Sequence, residues 1–214
     1  MLIKNVMTKN PVIISDDCSL TDAKALMTKN NISRLPVVDK NKKLVGILSK
    51  GDLQKASPSD ATTLDIYEIS YLLSKLTVEK IMVRNVVTVP DDEVVETAAR
   101  IMVEHGVSCL PVMSGDFISG IITESDVFRL FTEMFGAHQS GVRMILSMDD
   151  KPGQVAKLVN GIAAINGNVV SMVTRELTEA TKRRLTIKVS GITREQAEKV
   201  LSDCGFTADD IRVN

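Results

Sequence analysis

The sequence predicts a mixed α/β (α+β) protein: two copies of one β-α-β-β-α unit packed as a pseudo-twofold pair, then a different β-α-β-β-α-β domain. Three observations predict it. First, the chain aligns with itself at an offset of 75 residues, Met7 to Val38 on Met82 to Met113, without a gap. The identities include Met7/Met82, Asn10/Asn85, Val12/Val87, Asp16/Asp91, Ala23/Ala98, Met27/Met102, Ser33/Ser108 and the strands Leu35-Pro36-Val37/Leu110-Pro111-Val112. After a one-residue deletion near Lys40, Gly46, Ile47 and Asp52 fall on Gly120, Ile121 and Asp126. Second, each copy alternates helical and extended apolar patterns. Third, beyond Gly136-Ala137-His138-Gln139-Ser140-Gly141 the pattern changes and no longer aligns with the repeats. These signals divide the chain into a pair over 1–135, a linker over 136–140 and a last domain over 141–214.

Within the pair, repeat one covers about 1–60, a connecting helix about 62–76 and repeat two about 77–135. Each repeat opens with an extended lead (Val12-Ile13-Ile14; Val86-Val87-Thr88-Val89). Asp16-Asp17 and Asp91-Asp92 then suit a helix start, where a carboxylate caps free N–H groups and meets the positive end of the dipole. Ala23, Leu26 and Met27, like Ala98, Ile101 and Met102, share one helical face. Leu35 to Val38 and Leu44 to Leu48 flank the turn Asp39-Lys40-Asn41-Lys42-Lys43 and read as a hairpin; Ser114-Gly115-Asp116 is its counterpart. A further helix begins near Ser49 or Thr123. Ser57-Pro58-Ser59 marks a loop, and the apolar spacing from Leu64 to Leu76 suggests the connecting helix. In the last domain Val142, Met144, Leu146 and Met148 alternate as a half-buried strand, and Asp149 to Gly153 turns into a helix carrying Leu158 and Ile162. Asn166-Gly167-Asn168 turns into a second strand, Arg184 to Val189 is a third, Arg194 to Leu201 a helix, and Ile211 to Val213 a short last strand. This order predicts an antiparallel sheet with two helices on one face.

Composition narrows the function. Lys and Arg number 26 against 27 Asp and Glu, with no Trp, two Tyr and five Phe. That is neither the basic excess nor the stacking surface of a nucleic-acid binder. No apolar run reaches the roughly 18–20 residues of a membrane span, and Met1-Leu2-Ile3-Lys4-Asn5 has no signal-peptide pattern. Cys18, Cys109 and Cys204 form neither a disulfide framework nor zinc spacing. The expectation is a cytoplasmic protein with no partner in nucleic acid or membrane. No nucleophile, metal cage or Walker loop is legible, and His105 and His138 stand apart from any ligand cluster.

The chemistry gathers at Gly46-Ile47-Leu48-Ser49-Lys50-Gly51-Asp52 and Gly120-Ile121-Ile122-Thr123-Glu124-Ser125-Asp126. Each places a hydroxyl and, three residues on, a carboxylate at a predicted helix start. The hydroxyl and nearby N–H groups suit a phosphate, and the carboxylate suits the two hydroxyls of a ribose. The same spacing is also an N-cap that serves the helix alone. Both readings stand.

With its two Val-Met-Thr-type leads, Ser-x-x-Leu-Pro-Val strands and Gly-h-h-Ser/Thr-x-x-Asp ends, 1–135 resembles a tandem CBS-domain pair, a Bateman module. The resemblance implies a cleft between the repeats that binds AMP, ADP, ATP or S-adenosylmethionine as regulatory ligands, with no cofactor required. It assigns Asp52 and Asp126 to ribose, Ser49 and Thr123 to phosphate, and Asn10, Val12, Asn85 and Val87 to the adenine pockets. Ser33, Arg34 and Ser108 would add phosphate contacts. Arg34 is matched by Cys109, so the two sites are not equivalent, and phosphate is expected nearer Arg34. Residues 141–214 resemble a ferredoxin-like ACT domain, through Asp-x-x-Pro-Gly at 149–153 and the Asn-Gly-Asn turn. Asp149, Gly153, Gln154 and Asn168 are its candidate ligand contacts, against a purely structural turn. The order CBS, CBS, ACT resembles acetoin-utilisation AcuB-type proteins. Together these imply a non-catalytic nucleotide sensor, a homodimer through the ACT domain, and a regulated partner enzyme. A dimerisation scaffold, an amino-acid sensor and a nucleotide-cleaving enzyme are the competing classes.

Overall fold

The computed structural model describes residues 1–56, 71, 75–177 and 181–214. The described residues form two compact units, Met1–Val127 and Phe128–Asn214. Ser57-Pro58-Ser59 and, apart from Tyr71, Lys75 and Leu76, the expected connecting helix lie outside the described residues.

In the first unit, repeat one runs β1 (Thr8–Lys9), β2 (Ile14–Ser15), α1 (Leu20–Lys29), β3 (Arg34–Val38), β4 (Leu44–Ser49) and α2 (Lys50–Ala56). Repeat two runs β5 (Val89–Pro90), α3 (Val95–His105), β6 (Cys109–Ser114), β7 (Phe117–Thr123) and α4 (Glu124–Met134), within which the division between the units falls. In each repeat the lead strand pairs parallel with the first hairpin strand, Ile14 on Val37 and Val89 on Val112, and the hairpin itself is antiparallel. The first hairpin turn is held by Asp39, whose Oδ1 accepts from the N–H groups of Asn41 and Lys43 at 2.8 Å each.

The segments just ahead of the two leads are exchanged. Thr8 and Lys9 of repeat one pair with Ile121 and Gly120 of repeat two, while Val83 of repeat two bridges Ile47 of repeat one. The chain just before each lead repeats the exchange: Ile3 N–H donates to Glu93 O at 2.8 Å, and Val78 N–H to Cys18 O at 2.9 Å. Val78 and Met82 therefore belong to the core of repeat one, packed with Leu20, Met27, Leu35, Val37 and Leu48. The exchange explains Gly46 and Gly120. A Cβ on Gly46 would lie 2.4 Å from Met82 Sδ, and one on Gly120 2.3 Å from Met7 Sδ. Each methionine crosses the strand of the other repeat where no side chain fits.

The exchange also corrects the predicted helix starts. The N-cap of α1 is Ser19, whose Oγ accepts from Asp22 N–H at 3.1 Å, and α3 starts after Val94 with no side-chain cap. Asp16 and Asp91 serve by backbone instead, their carbonyls accepting from Glu79 and Lys4 of the incoming chain.

The second unit contains β8 (Val142–Asp149), α5 (Gln154–Ala164), β9 (Asn168–Glu176), β10 (Lys182–Ser190), α6 (Arg194–Asp203) and β11 (Ala208–Val213). All pairs are antiparallel, in the order β11-β8-β10-β9. Alternate residues Val142, Met144, Leu146, Leu185, Ile187 and Val189 pack with Leu158, Ile162, Ala197 and Leu201 of the two helices. The capping box at α6 pairs Thr193 with Gln196. The last strand begins three residues before the expected Ile211, through an irregularity between Ala208 and Asp210.

Gly136 is not a free linker residue. It ends α4 in the left-handed region (φ +60°), and its carbonyl accepts from the Lys188 ammonium at 2.9 Å. Lys188 is 2% exposed, and its charge sits favourably at the negative end of the helix. Ser171 Oγ donates to Phe135 O at 3.2 Å, so the last turn of α4 belongs with this sheet. Among the described residues no helix is long and apolar enough to cross a membrane.

The exchange makes a quantitative prediction. Gly120→Val forces its side chain onto Met7 and onto Thr8 O, 3.0 Å from the Cβ position, and lowers the unfolding free energy by about 1–3 kcal/mol. Met7→Ala opens the space, so the double variant loses less than the two single losses added together. Urea unfolding of the four proteins checks it; additive losses reject the contact.

Candidate functional site

A cavity of about 230 Å³ opens in the first unit, with walls from both repeats. Repeat one supplies Arg34, Ile47, Ser49 and Asp52; repeat two supplies Val83 and Asn85 to Val87 from its lead, and Gly106 to Cys109 from the turn after α3. The exchanged segment creates this composition, because Ile47 and Val83 are bridged across the repeats at the cavity's edge.

Ser49 and Asp52 close a cap on α2. The N–H and hydroxyl of Ser49 donate to Asp52 Oδ2 at 2.8 and 2.5 Å, and Asp52 N–H donates back to Ser49 Oγ at 3.2 Å. Thr123 and Asp126 repeat the arrangement on α4 at 2.9, 2.7 and 3.3 Å. The capping reading is thus realised at both ends, and it uses up the hydroxyl protons expected for a phosphate. Asp52 Oδ1 accepts no hydrogen bond among the described residues and is the acceptor left for a ligand. Asp52 is half-buried, whereas Asp126 is 3% exposed.

Among the described residues, Arg34 is the only cationic side chain on the cavity wall. Its Nη2 donates to Ser108 Oγ of repeat two and its Nη1 to Ser33 Oγ at 3.4 Å, so one guanidinium joins the two matched serines. Cys109, at the position matching Arg34, is 5% exposed. Burial pushes its thiol up to about 11 against the pull of Arg34, with Glu124 adding to the rise. A neutral thiol therefore stands where the other repeat has a permanent cation. The exposed pair Lys43–Asp116 at 3.0 Å joins the two hairpin turns.

The cavity brings together Arg34, Ser49, Asp52, Asn85, Val87 and Ser108. Asn10 and Val12 lie elsewhere: Asn10 N–H donates to Ser119 O in β7 at 3.3 Å, and Val12 packs against the core of repeat one. Ser33 contacts the first group only through Arg34. Sequence reasoning passed over Val83, Gly106 and Val107. The signal for them was the repeat itself, because an exchanged segment puts the residues flanking Asn85 opposite the strand ahead of Ser49.

In the second unit the candidates do not converge. Asp149 pairs with Lys151 at 2.8 Å, and that ammonium holds its carboxyl below the usual range. Gly153 precedes α5 in the left-handed region and faces open space, with Gln154 beside it. Asn168 lies opposite Ser190 while Asp149 lies opposite Lys182, at the two ends of β10. Strand geometry separates those ends by roughly 25 Å. Asn168 therefore shares no small-ligand site with Asp149. Among the described residues no group of three His, Cys, Asp or Glu side chains is placed to hold a metal.

The environment of Cys109 predicts its reactivity. At pH 8 a thiol titrating near 11 is about 0.1% thiolate, and the thiolate is the nucleophile. Iodoacetamide should leave Cys109 unmodified in the folded protein and label it in guanidinium, read by peptide mass spectrometry. Rapid labelling of the folded protein contradicts the buried neutral thiol.

Comparison with known proteins follows the same division. Residues 3–59 and 78–133 match the CBS domain, and residues 140–212 the TTHA0829-like ACT domain. The L-aspartate semialdehyde sulfurtransferase of Methanocaldococcus jannaschii is 35% identical over 132 residues, which are 61% of this chain and 23% of that protein. The chain thus spans under a quarter of that relative's length. Among solved structures, the CBS domain pair of protein MJ0100 in complex with 5′-methylthioadenosine and S-adenosyl-L-methionine is 33% identical, with a TM-score of 0.52. It covers 65% of this chain and 98% of its own. A protein of Vibrio cholerae described as an acetoin utilization protein (AcuB) is 31% identical, with a TM-score of 0.53, covering 64% of this chain and 95% of its own.

Proposed function

The chain belongs to the CBS-domain family, as a tandem pair followed by an ACT domain, and from that premise we propose that it is a non-catalytic regulatory sensor of adenosine-containing ligands. The observation that carries this reading is the cavity shared by both repeats. It combines an unspent carboxylate oxygen on Asp52, a guanidinium on Arg34 and apolar walls at Ile47, Val86 and Val87. Ribose hydroxyls, a charged 5′ substituent and an adenine ring ask for those three chemistries. The adenosine ligands of the MJ0100 pair support the same class.

Ligand binding acts by favouring whichever packing of the repeats binds it better. Helix α4 offers the route onward, since it starts at the Thr123–Asp126 cap and ends at Gly136, held by Lys188. The receiver of the signal is the ACT domain or a partner enzyme. Self-association supports such a role: α4 leaves Phe128, Phe131 and Met134 more than half exposed, and β9 exposes Met172 and Val173. Light scattering should return a homodimer mass, and a monomer at working concentration rejects that part of the reading.

Isothermal titration calorimetry with AMP, ATP, S-adenosylmethionine and 5′-methylthioadenosine tests the sensor itself. At least one should bind, and Asp52→Ala should weaken it by about tenfold or more, the worth of one or two hydrogen bonds to a charged acceptor. Absence of binding by all four favours the scaffold reading.

A further inference from the structure

Helices α1 and α2 of repeat one carry one pattern twice: a lysine, a buried apolar residue three positions on, and next to it a hydroxyl or an amide. On α1 these are Lys24, Met27 and Thr28; on α2 they are Lys50, Leu53 and Gln54. Positions i, i+3 and i+4 share one face of a helix. The two faces meet, because these six residues line a cavity of about 170 Å³. None of them lines the Arg34 cavity. Met27 and Leu53 are 1% and 8% exposed and make an apolar floor, while the four polar side chains around it are exposed. Among the described residues neither lysine ammonium has an ion pair or a hydrogen bond, and the Gln54 amide has no partner. The Thr28 hydroxyl donates to Lys24 O at 2.9 Å and keeps only acceptor capacity. Lys50 also opens α2, where the helix dipole disfavours a cation.

The duplication supplies an internal comparison. The matching positions of repeat two are Ala99, Met102 and Val103 on α3, and Glu124, Val127 and Phe128 on α4. Both floor positions stay apolar and both cations are gone. The frame therefore needs Met27 and Leu53 but does not need the lysines. We infer that this cavity is a further binding site, separate from the cleft, and that it takes a short aliphatic carboxylate. The chain of the ligand lies on Met27 and Leu53, which take its methylene groups out of water. Its carboxylate exchanges water for the ammoniums of Lys24 and Lys50 and the amide of Gln54, as an anion leaving solvent requires. The cavity is smaller than the roughly 300 Å³ at which sites for drug-sized ligands begin, which restricts the ligand to a few carbons. With one cation on each helix, a dicarboxylate engages both and binds more tightly than a monocarboxylate.

Isothermal titration calorimetry on the full chain, in buffers matched for ionic strength, tests this with glutarate, butyrate and inorganic phosphate as probes. Glutarate should bind at one per chain, butyrate more weakly, and phosphate, which has no aliphatic part, without measurable heat. Lys24→Ala and Lys50→Glu install the residues of repeat two, and each should weaken glutarate by about tenfold, the worth of a charge-assisted contact. Both side chains are exposed, so the urea midpoints of the variants should stay at that of the unaltered chain. Lys24→Gln and Lys50→Gln repeat the measurement without reversing a charge. Phosphate binding as tightly as glutarate reduces the site to a patch of charge and overturns the inference. Glutarate affinity that survives the lysine substitutions, or no binding of glutarate at all, overturns it as well.

Discussion

Everything in the first unit depends on the exchange of the segments just ahead of the two leads. One CBS repeat alone has a three-stranded sheet and two helices, a small core by any measure. Here each core is completed by chain from the other repeat, with Val78 and Met82 seated among Leu20, Met27 and Leu48. The repeats consequently cannot separate without each losing part of its interior. A methionine suits the crossing point, because its unbranched thioether follows a strand surface that a β-branched residue would not. The same contact requires Gly46 and Gly120 to have no side chain, so a core constraint and a motif residue turn out to be one fact.

The cleft is the by-product of that exchange. Where the lead of repeat two passes over β4, Val83 to Val87 is laid beside Ser49 and Asp52, and a cavity with walls from both repeats results. Duplication supplies the pseudo-twofold frame, and divergence at single positions then acts on a frame already fixed. Arg34 shows how much one position carries: it holds matched serines of both repeats and provides the cavity's cation. Its counterpart Cys109 gives nothing of the kind.

Much of this was legible in the sequence, for physical reasons that differ by element. The repeats are legible because identity at a fixed offset needs no structure, and the β-α-β-β-α-β order because alternate residues from Val142 to Met148 and from Leu185 to Val189 are apolar. The helix starts were misread. Asp16 and Asp91 carry the composition of a cap, yet the helices begin three residues beyond them, after Ser19 and Val94, where the chain from the other repeat docks by backbone bonds that no local rule contains. The exchange itself was hidden for the same reason. Likewise Asn168 seemed a companion of Asp149 because both sit in turns; the register of β10 places them at opposite ends of the sheet. The last strand was read short because Ala208-Asp209-Asp210 does not alternate across its irregularity.

The capping and ligand-binding readings of Ser49–Asp52 were set against each other, and the geometry dissolves the opposition. A carboxylate on a long, free side chain must lose rotamer freedom when a ligand arrives, at about 0.5–1.5 kcal/mol. Asp52 has already lost it, since Oδ2 is fixed by the N–H and hydroxyl of Ser49. The cap therefore holds Oδ1 in one place before any ribose reaches it, and the folding of α2 has met the ordering cost in advance. By the same reasoning, Ser49→Ala would weaken a ligand held by Asp52 through the freedom returned to that carboxylate. Preorganisation of this kind lets the cap of α2 and the proposed site share Ser49 and Asp52, because the carboxylate that starts the helix is also held in place at the edge of the cavity.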